Sequence, residues 1–127
     1  MDTSSQLNVL QAVAKIWPVK TEVCSGLGVY TMWARDNLHS VATVAGQANG
    51  FVRVPVIQWA TLRMLGDRLH VPTVIFFGHH DGTIEYATWP VHSGLKYQTI
   101  LDTAYPGGVV SIPRSEFKIV ERKRRET

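Results

Sequence analysis

Apolar residues recur at helical spacing in two segments of the chain. The first predicted helix runs from Thr3 to Trp17, and Pro18 ends it. The second runs from Pro55 to His70, although Gly66 weakens the helix prediction. The apolar stripe of the second helix consists of Leu62, Leu65 and Leu69, flanked by Ile57, Ala60 and Met64. A third, shorter helix is predicted over Leu95–Tyr105.

Short runs rich in β-branched and aromatic residues predict the strands. These runs are Val19–Cys24, Val29–Arg35, Ser40–Ala45, Val71–Phe77, Ile84–Trp89 and Val109–Ile112, with a further extension over Ser115–Val120 and a short extended lead-in at Phe51–Val54. "GQANG" between the third strand and that lead-in is predicted to be a loop. Val71–Phe77 is apolar on both faces, which predicts a central strand covered on both sides.

The predicted order is α-β-β-β-α-β-β-(α)-β, which indicates an α+β fold. We expect a mostly antiparallel or mixed sheet of about five to six strands, packed by two main helices. A helix against one face of the sheet is the simplest layer arrangement. The length of 127 residues suits one domain, predicted over residues 1–120, with a basic tail at 121–127.

The net charge of +3 is concentrated at the end of the chain. The last ten residues hold five basic and two acidic side chains, whereas residues 1–117 hold eight of each. The basic side chains of the tail include Arg122, Lys123, Arg124 and Arg125. Such a run is typical of a solvated, solubilising terminus, and the alternative is an arm that contacts nucleic acid or an acidic partner.

The hairpin "GHHDGTIEY" brings together the residues that most resemble a catalytic or metal site. Asp81-Gly82 between two β-rich runs predicts a type I′ turn, with Phe77 opposite Tyr86 and both histidines at a solvent-facing tip. His79 and His80 would then point to opposite faces, and His92 would lie about 30 Å from the turn. They are therefore only weak metal candidates, and no cofactor is expected.

Asp102, Glu116 and Lys118 form a second candidate site. A carboxylate followed by Glu-x-Lys is an arrangement in which two carboxylates hold Mg²⁺ and a lysine assists the attacking water. The spacing is permissive, and Asp102 falls in the predicted third helix. A metal-dependent nuclease is therefore an alternative interpretation rather than the leading one.

The order helix, three strands, helix, strand also resembles the core of restriction-endonuclease-like folds. In that core the paired acidic and lysine residues belong on the second and third strands. The third strand here carries no charge, and Glu22 and Asp36 only flank the region. The resemblance therefore implies a catalytically inactive version of that fold.

Aromatic residues supply the remaining candidates. Trp33, Trp59, Trp89 and Tyr86 are predicted to be mainly core residues, and alternatively to line an apolar ligand pocket or a subunit interface. Cys24 is the single cysteine, so an intrachain disulfide and a cysteine-rich zinc site are excluded and a cytoplasmic location is expected. No apolar run approaches the ~20 residues that cross a bilayer, and no membrane partner is expected.

These observations favour a non-enzymatic binding or interaction module that self-associates and carries a basic C-terminal arm. Two alternatives stay open: the nuclease, and a domain that binds a small apolar molecule in an aromatic pocket.

Overall fold

The computed structural model describes residues 3–25, 28–48, 50–79, 81–90, 100–102 and 108–121. Within these residues there are two helices, α1 (Thr3–Ile16) and α2 (Val56–Leu69). The strands are β1 (Lys20–Ser25), β2 (Val29–Ala34), β3 (Asn37–Val44), β4 (Gly46–Ala48), β5 (Phe51–Pro55), β6 (Thr73–Gly78), β7 (Ile84–Trp89), β8 (Ile100–Asp102), β9 (Val109–Pro113) and β10 (Lys118–Ile119). A 3-10 turn at Arg114–Glu116 precedes β10.

The strands form two sheets. The larger has the order β1-β2-β3-β6-β7-β10, and all its neighbours are antiparallel except the parallel pair β3 and β6. The smaller has the order β4-β5-β9-β8 and is antiparallel throughout. The chain between β3 and β6 contains β4, β5 and α2. The α+β prediction with two main helices and a mixed sheet is confirmed.

Successive residues along the strands of the larger sheet point into two separate hydrophobic cores, one on each face of the sheet. Val74 and Phe76 of β6 pack with Leu10 and Val13 of α1 on one face. Ile75 and Phe77 of β6 point to the other face, towards α2 and the smaller sheet. Thr73–Phe77 is buried throughout, as its apolar sequence predicts. The larger sheet is therefore covered on both faces, whereas the simplest expectation was a helix on one face.

The buried side of α2 differs from the predicted leucine stripe. Trp59, Leu62 and Gly66 are its buried residues, whereas Leu69 is largely exposed. A Cβ built on Gly66 would lie 2.7 Å from Thr73 Oγ1, so the absence of a side chain allows α2 to pack closely against β6. The helix ends where His70 adopts a left-handed φ of +54°.

Two regions of the chain form strands where the sequence predicted other structures. Gly46–Ala48, predicted to be a loop, pairs with Phe51–Arg53. Ile100–Asp102 lies in the segment predicted as a third helix, but it pairs with Val109–Ser111. The helix prediction is wrong at these three residues, because strand β9, which lies outside the predicted helical segment, supplies their backbone partners. The remainder of that segment that falls at 95–99 and 103–105 lies outside the described residues.

Candidate functional site

The hairpin between β6 and β7 closes with a different turn from the predicted one. The Gly82 amide donates to the His79 carbonyl at 3.1 Å, and the His79 amide donates to the Thr83 carbonyl at 2.8 Å. Gly82 has a φ of +90°, as predicted, but Asp81 keeps a negative φ, so the type I′ assignment is wrong. The positive φ belongs to Gly82, the fourth residue of the turn that its hydrogen bond to His79 closes, as in hairpin loops with a glycine bulge.

This turn shifts the hairpin register by one residue. Phe77 pairs with Glu85 rather than with Tyr86, and Gly78 pairs with Ile84. A shift of one residue moves side chains to the opposite face of a sheet. Glu85 consequently lies on the face of Phe77, where it is almost fully buried.

Glu85, His79 and Arg114 form an ion-pair cluster on that face. An Arg114 Nη2 hydrogen is donated to Glu85 Oε2 at 2.7 Å, and His79 Nε2 contacts the same oxygen. Arg114 Nη2 also lies 3.1 Å from His79 Nε2. Because one carboxylate oxygen meets both nitrogens, the geometry fits His79 in the tautomer that donates its Nε2 hydrogen to Glu85.

Aromatic rings enclose the ion-pair cluster. The Arg114 guanidinium lies 5.4 Å from the centre of the Phe77 ring, and the His79 ring lies 4.9 Å from it. Phe117 packs on Phe77 from the chain segment that follows Arg114, with ring centroids 5.3 Å apart. The cluster therefore attaches the segment after β9 to the tip of the β6–β7 hairpin.

The electrostatics of the ion-pair cluster fix the charge of Glu85. Burial raises the pKa of Glu85, but hydrogen bonds from Arg114 and His79 and the positive charge of Arg114 outweigh it, so the net pKa lies below the ordinary value. Glu85 is thus held as a carboxylate whose donors are already in place. This arrangement suits a structural anchor better than a general acid, which needs a raised pKa.

The predicted metal candidates are only partly described. His79 lies in the ion-pair cluster and is half-buried, so its placement at a solvent-facing tip is wrong. His80 and His92 lie outside the described residues. In the described part of the chain, no three His, Cys, Asp or Glu side chains come together in a way that could hold a metal ion. A guanidinium 3.1 Å from His79 Nε2 would also oppose a bound cation.

The three nuclease candidates lie in separate elements. Asp102 is in β8, at the edge of the smaller sheet, opposite Val109. Glu116 is exposed in the 3-10 turn, and Lys118 is exposed in β10, at the edge of the larger sheet. Strands β2 and β3 carry no acidic residue and no lysine.

The four aromatic candidates are divided among different surroundings. Trp59 and Trp89 are buried together, edge to face, with centroids 5.1 Å apart. Tyr86 lies on the opposite face of the larger sheet and packs on Trp17 at 4.9 Å. Trp33 is half-buried and its Nε1 donates to Thr31 Oγ1 at 3.0 Å. Only the pair Trp59 and Trp89 is brought into mutual contact.

A second polar cluster joins both helices to the start of β2. Tyr30 Oη donates to Gln6 Oε1 of α1 at 3.0 Å, and burial raises the pKa of Tyr30. On the α2 side, Gln58 Nε2 donates to Thr43 Oγ1, which in turn donates to the Gly28 carbonyl at 2.7 Å. Gly28 has a φ of +80°, and a Cβ there would lie 3.2 Å from both glutamine amides. These groups satisfy one another, which indicates a structural role.

The surface contains a feature that the hydrophobic pattern alone did not single out. Among the described residues, the exposed large apolar side chains lie on α2 or on the two edge strands of the larger sheet. They are Val23 of β1 (65% exposed), Ile119 of β10 (54%), and Ile57 (62%), Met64 (49%) and Leu69 (43%) of α2. No other described strand pairs with the outer side of β1 or β10, so apolar side chains there lie beside backbone donors and acceptors that can pair with another strand.

Comparison with known proteins gave no relative: no protein-family model, curated protein or solved structure matches the chain. In the part of the chain that the structure describes, neither helix is long and apolar enough to cross a membrane. Arg122, Lys123, Arg124 and Arg125 lie outside the described residues.

Proposed function

We propose that this chain is a non-enzymatic interaction module that self-associates, with a basic arm that contacts nucleic acid or an acidic partner. The observation that carries the proposal is the distribution of exposed apolar side chains over α2 and the two edges of the larger sheet. Contact with a second chain would remove these side chains from water, which is the main favourable term in protein association.

Helix α2 offers one such surface. Ile57, Ala60 and Met64 are all exposed and lie within one stripe, because residues three, four and seven apart share a side of a helix. The edge strands offer a second kind of surface, at which another strand can extend the sheet.

The polar groups support a binding role over catalysis. Glu85, the most buried carboxylate among the side chains that the structure describes, already receives donors from His79 and Arg114. The nuclease candidates belong to the edges of two sheets and the turn between them. A single cysteine also fits a reducing compartment, and we place the protein in the cytoplasm.

Measuring the molar mass of the wild-type chain by sedimentation over a wide range of concentration tests this function. We expect reversible self-association whose extent rises with concentration. Apolar-to-serine changes at Val23, Ile57, Met64 and Ile119, made one at a time, should identify the side chains that become buried on association. Gln11→Ser, at an exposed position of α1 away from these surfaces, is the control. A monomer at every concentration, or association that none of the four variants alters, contradicts the proposal.

A further inference from the structure

The edge strand β1 belongs to a segment whose sequence is complementary to itself. Residues 19–23 read Val-Lys-Thr-Glu-Val. When this segment lies antiparallel to a second copy of itself, centred on Thr21, each lysine is opposite a glutamate and each Val19 is opposite a Val23. Side chains directly opposite each other in an antiparallel pair are ~4.5–5.5 Å apart at Cβ, so these pairs interact.

The side chains that would make these contacts are available. Lys20 and Glu22 keep 79% and 54% of their side-chain surface, and Val23 is 65% exposed. Lys20 Nζ lies 3.6 Å from Glu22 Oε1, which places both charges on one face of the strand. Val19, half-buried against the α1 core, shares the other face with Val23.

We infer that two copies of the chain pair β1 with β1, antiparallel, about a twofold axis at Thr21. The two six-stranded sheets then become one continuous sheet. This inference rests on the proposed self-association and names its interface. Two opposed lysine–glutamate pairs and two opposed valine pairs accompany the backbone hydrogen bonds.

Symmetry and charge single out this register. A twofold axis normal to the sheet keeps each side chain on its own face, and alternate residues point to opposite faces, so the axis must pass through a residue position. An axis at position 20 opposes two lysines, and one at position 22 opposes two glutamates, both of which are destabilising. An axis at position 19 or 23 opposes neither Lys20 nor Glu22 to a charged residue, whereas an axis at Thr21 opposes each lysine to a glutamate.

The ends of the regular strand lie at equal distances from Thr21. Pro18, three residues before it, has no backbone N–H and ends strand pairing. Cys24, three residues after it, lies at the irregularity where the pairing with β2 shifts between Val23 and Ser25. In the inferred register Pro18 of one copy is opposite Cys24 of the other, so both interruptions coincide and only regular strand remains between them.

The charges also explain why a second copy, rather than an unrelated strand, is the occupant. A lysine on an edge strand opposes pairing with most other strands, because its ammonium must be desolvated or neutralised. Here the same edge supplies a glutamate at the position that faces this lysine. Pairing with β1 is therefore unfavourable for most strands and favourable for a second copy of β1.

Disulfide trapping tests the register. In a Cys24→Ser background, Thr21→Cys places two thiols directly opposite each other, at a Cα separation of ~4.5–5.5 Å that a disulfide can span. Val23→Cys in the same background is the matched control, since its two copies would lie four positions apart, ~13 Å along the strands. Mild oxidation should give a covalent dimer with the first variant and leave the second largely monomeric on a non-reducing gel.

Charge exchange gives an independent test. Lys20→Glu and Glu22→Lys each turn two attractive pairs into repulsive ones, and each should raise the dimer dissociation constant on the order of tenfold. The double exchange Lys20→Glu/Glu22→Lys restores unlike pairs and should return the constant to near the wild-type value. Circular dichroism of each variant checks the fold, which these exposed positions should leave intact.

The outcomes separate this interface from self-association itself. A wild-type chain that stays monomeric contradicts both. A chain that associates, while Thr21→Cys crosslinks no better than Val23→Cys or the double exchange fails to restore dimerisation, keeps the proposed function and overturns the β1 pairing.

Discussion

Gly66 is the residue at which packing and intrinsic helix preference oppose each other most directly. It lies in the last turn of α2, and within a helix alanine is ordinarily the better helix former, by up to ~0.8–1 kcal/mol. A Cβ there would, however, lie 2.7 Å from Thr73 Oγ1 and 3.1 Å from the Val71 carbonyl oxygen. Thr73 is fully buried and receives a hydrogen bond from Arg63 Nη1 at 3.1 Å, so it has little freedom to move.

We therefore expect Gly66→Ala to lower the free energy of unfolding by ~1–3 kcal/mol, the usual cost of overpacking. Urea denaturation measures the change. Ala60→Gly, at an exposed position of the same helix, is the control for propensity alone and should cost ~1 kcal/mol. A Gly66→Ala variant more stable than wild type would show that α2 can move away from β6 at little cost.

Glu85 is expected to make stability depend on pH. Its pKa in the folded chain lies below the ordinary value of ~4.3, despite burial, because Arg114 and His79 stabilise the carboxylate. The contribution of Glu85 is then fully present above the ordinary pKa and is lost as the pH falls through the lower, folded-state pKa.

Glu85→Gln should lower the free energy of unfolding by roughly 1–2 kcal/mol at pH 7, as for a weakened hydrogen bond to a charged group. The difference from wild type should shrink towards zero in acid, when the wild-type carboxyl is protonated too. Glu116→Gln, at an exposed position, should stay within ~0.5 kcal/mol throughout. If Glu85→Gln lowers the free energy of unfolding equally at neutral and acid pH, its effect comes from altered packing rather than from the lost charge.

At the scale of elements, local signals predicted most strands and the place of the turn between β6 and β7, whereas partners distant in sequence decided the rest. Ile84–Trp89 was predicted with its observed bounds, and the turn glycine with its positive φ. The contact between Glu85 and Arg114 spans 29 residues and depends on a register that one residue of loop length decides. Ile100–Asp102 has a helical repeat but becomes a strand because β9 supplies backbone partners.

The buried side of α2 could likewise not be predicted from local sequence signals. Apolar residues lie on several sides of this helix, so their spacing alone did not determine which side faces the sheet. Gly66 faces the sheet because it lacks a side chain, and a hydrophobic pattern gives glycine no such weight. Ile57 and Met64 are left exposed as a result.

The hairpin turn permits a test at this scale. Gly82 has a φ of +90° and nothing within 4 Å of a built Cβ, so any cost of a side chain there comes from the backbone. We expect Gly82→Val to destabilise the protein by ~1–3 kcal/mol, the cost of holding a β-branched residue at positive φ. Thermal and urea unfolding of purified variants provide the measurement.

Gly46 is the matched control for Gly82. It also has nothing within 4 Å of a built Cβ, but its φ is not positive, and it lies in strand β4. Gly46→Val should therefore cost little or stabilise the strand. Equal destabilisation by Gly82→Val and Gly46→Val would mean that the size of the side chain, rather than the backbone conformation, causes the loss of stability.

For the whole molecule, the arrangement of layers determines which surfaces remain for partners. Both faces of the larger sheet are covered, one by α1 and the other by α2 and the smaller sheet. Its two edges and the outer side of α2 keep exposed apolar side chains. The fold class was predictable because periodicity is local, but the positions of β1 and β10 at the edges follow from strand order, which the sequence pattern does not specify.

The charge of the whole molecule leads to a prediction about the tail. Residues 1–117 hold equal numbers of basic and acidic side chains, so the excess of positive charge lies beyond the cores. The Glu121 carbonyl accepts a hydrogen bond from Trp17 Nε1 at 3.1 Å, and Val120 is buried. A chain ending at Glu121 keeps both contacts, and we expect it to melt within a few degrees of the full chain.

If the arm contacts nucleic acid, the full chain should bind a labelled duplex with an affinity that falls steeply with salt. Four arm cations that neutralise phosphates predict a slope of log affinity against log salt of roughly −3 to −4. The chain ending at Glu121 should lose this binding, as should a full-length variant with Arg122, Lys123, Arg124 and Arg125 replaced by serine. Fluorescence anisotropy at several salt concentrations measures all three. Equal binding by the truncated and full chains would move the contact from the arm to the folded domain, whose neutral charge gives no reason for such a slope.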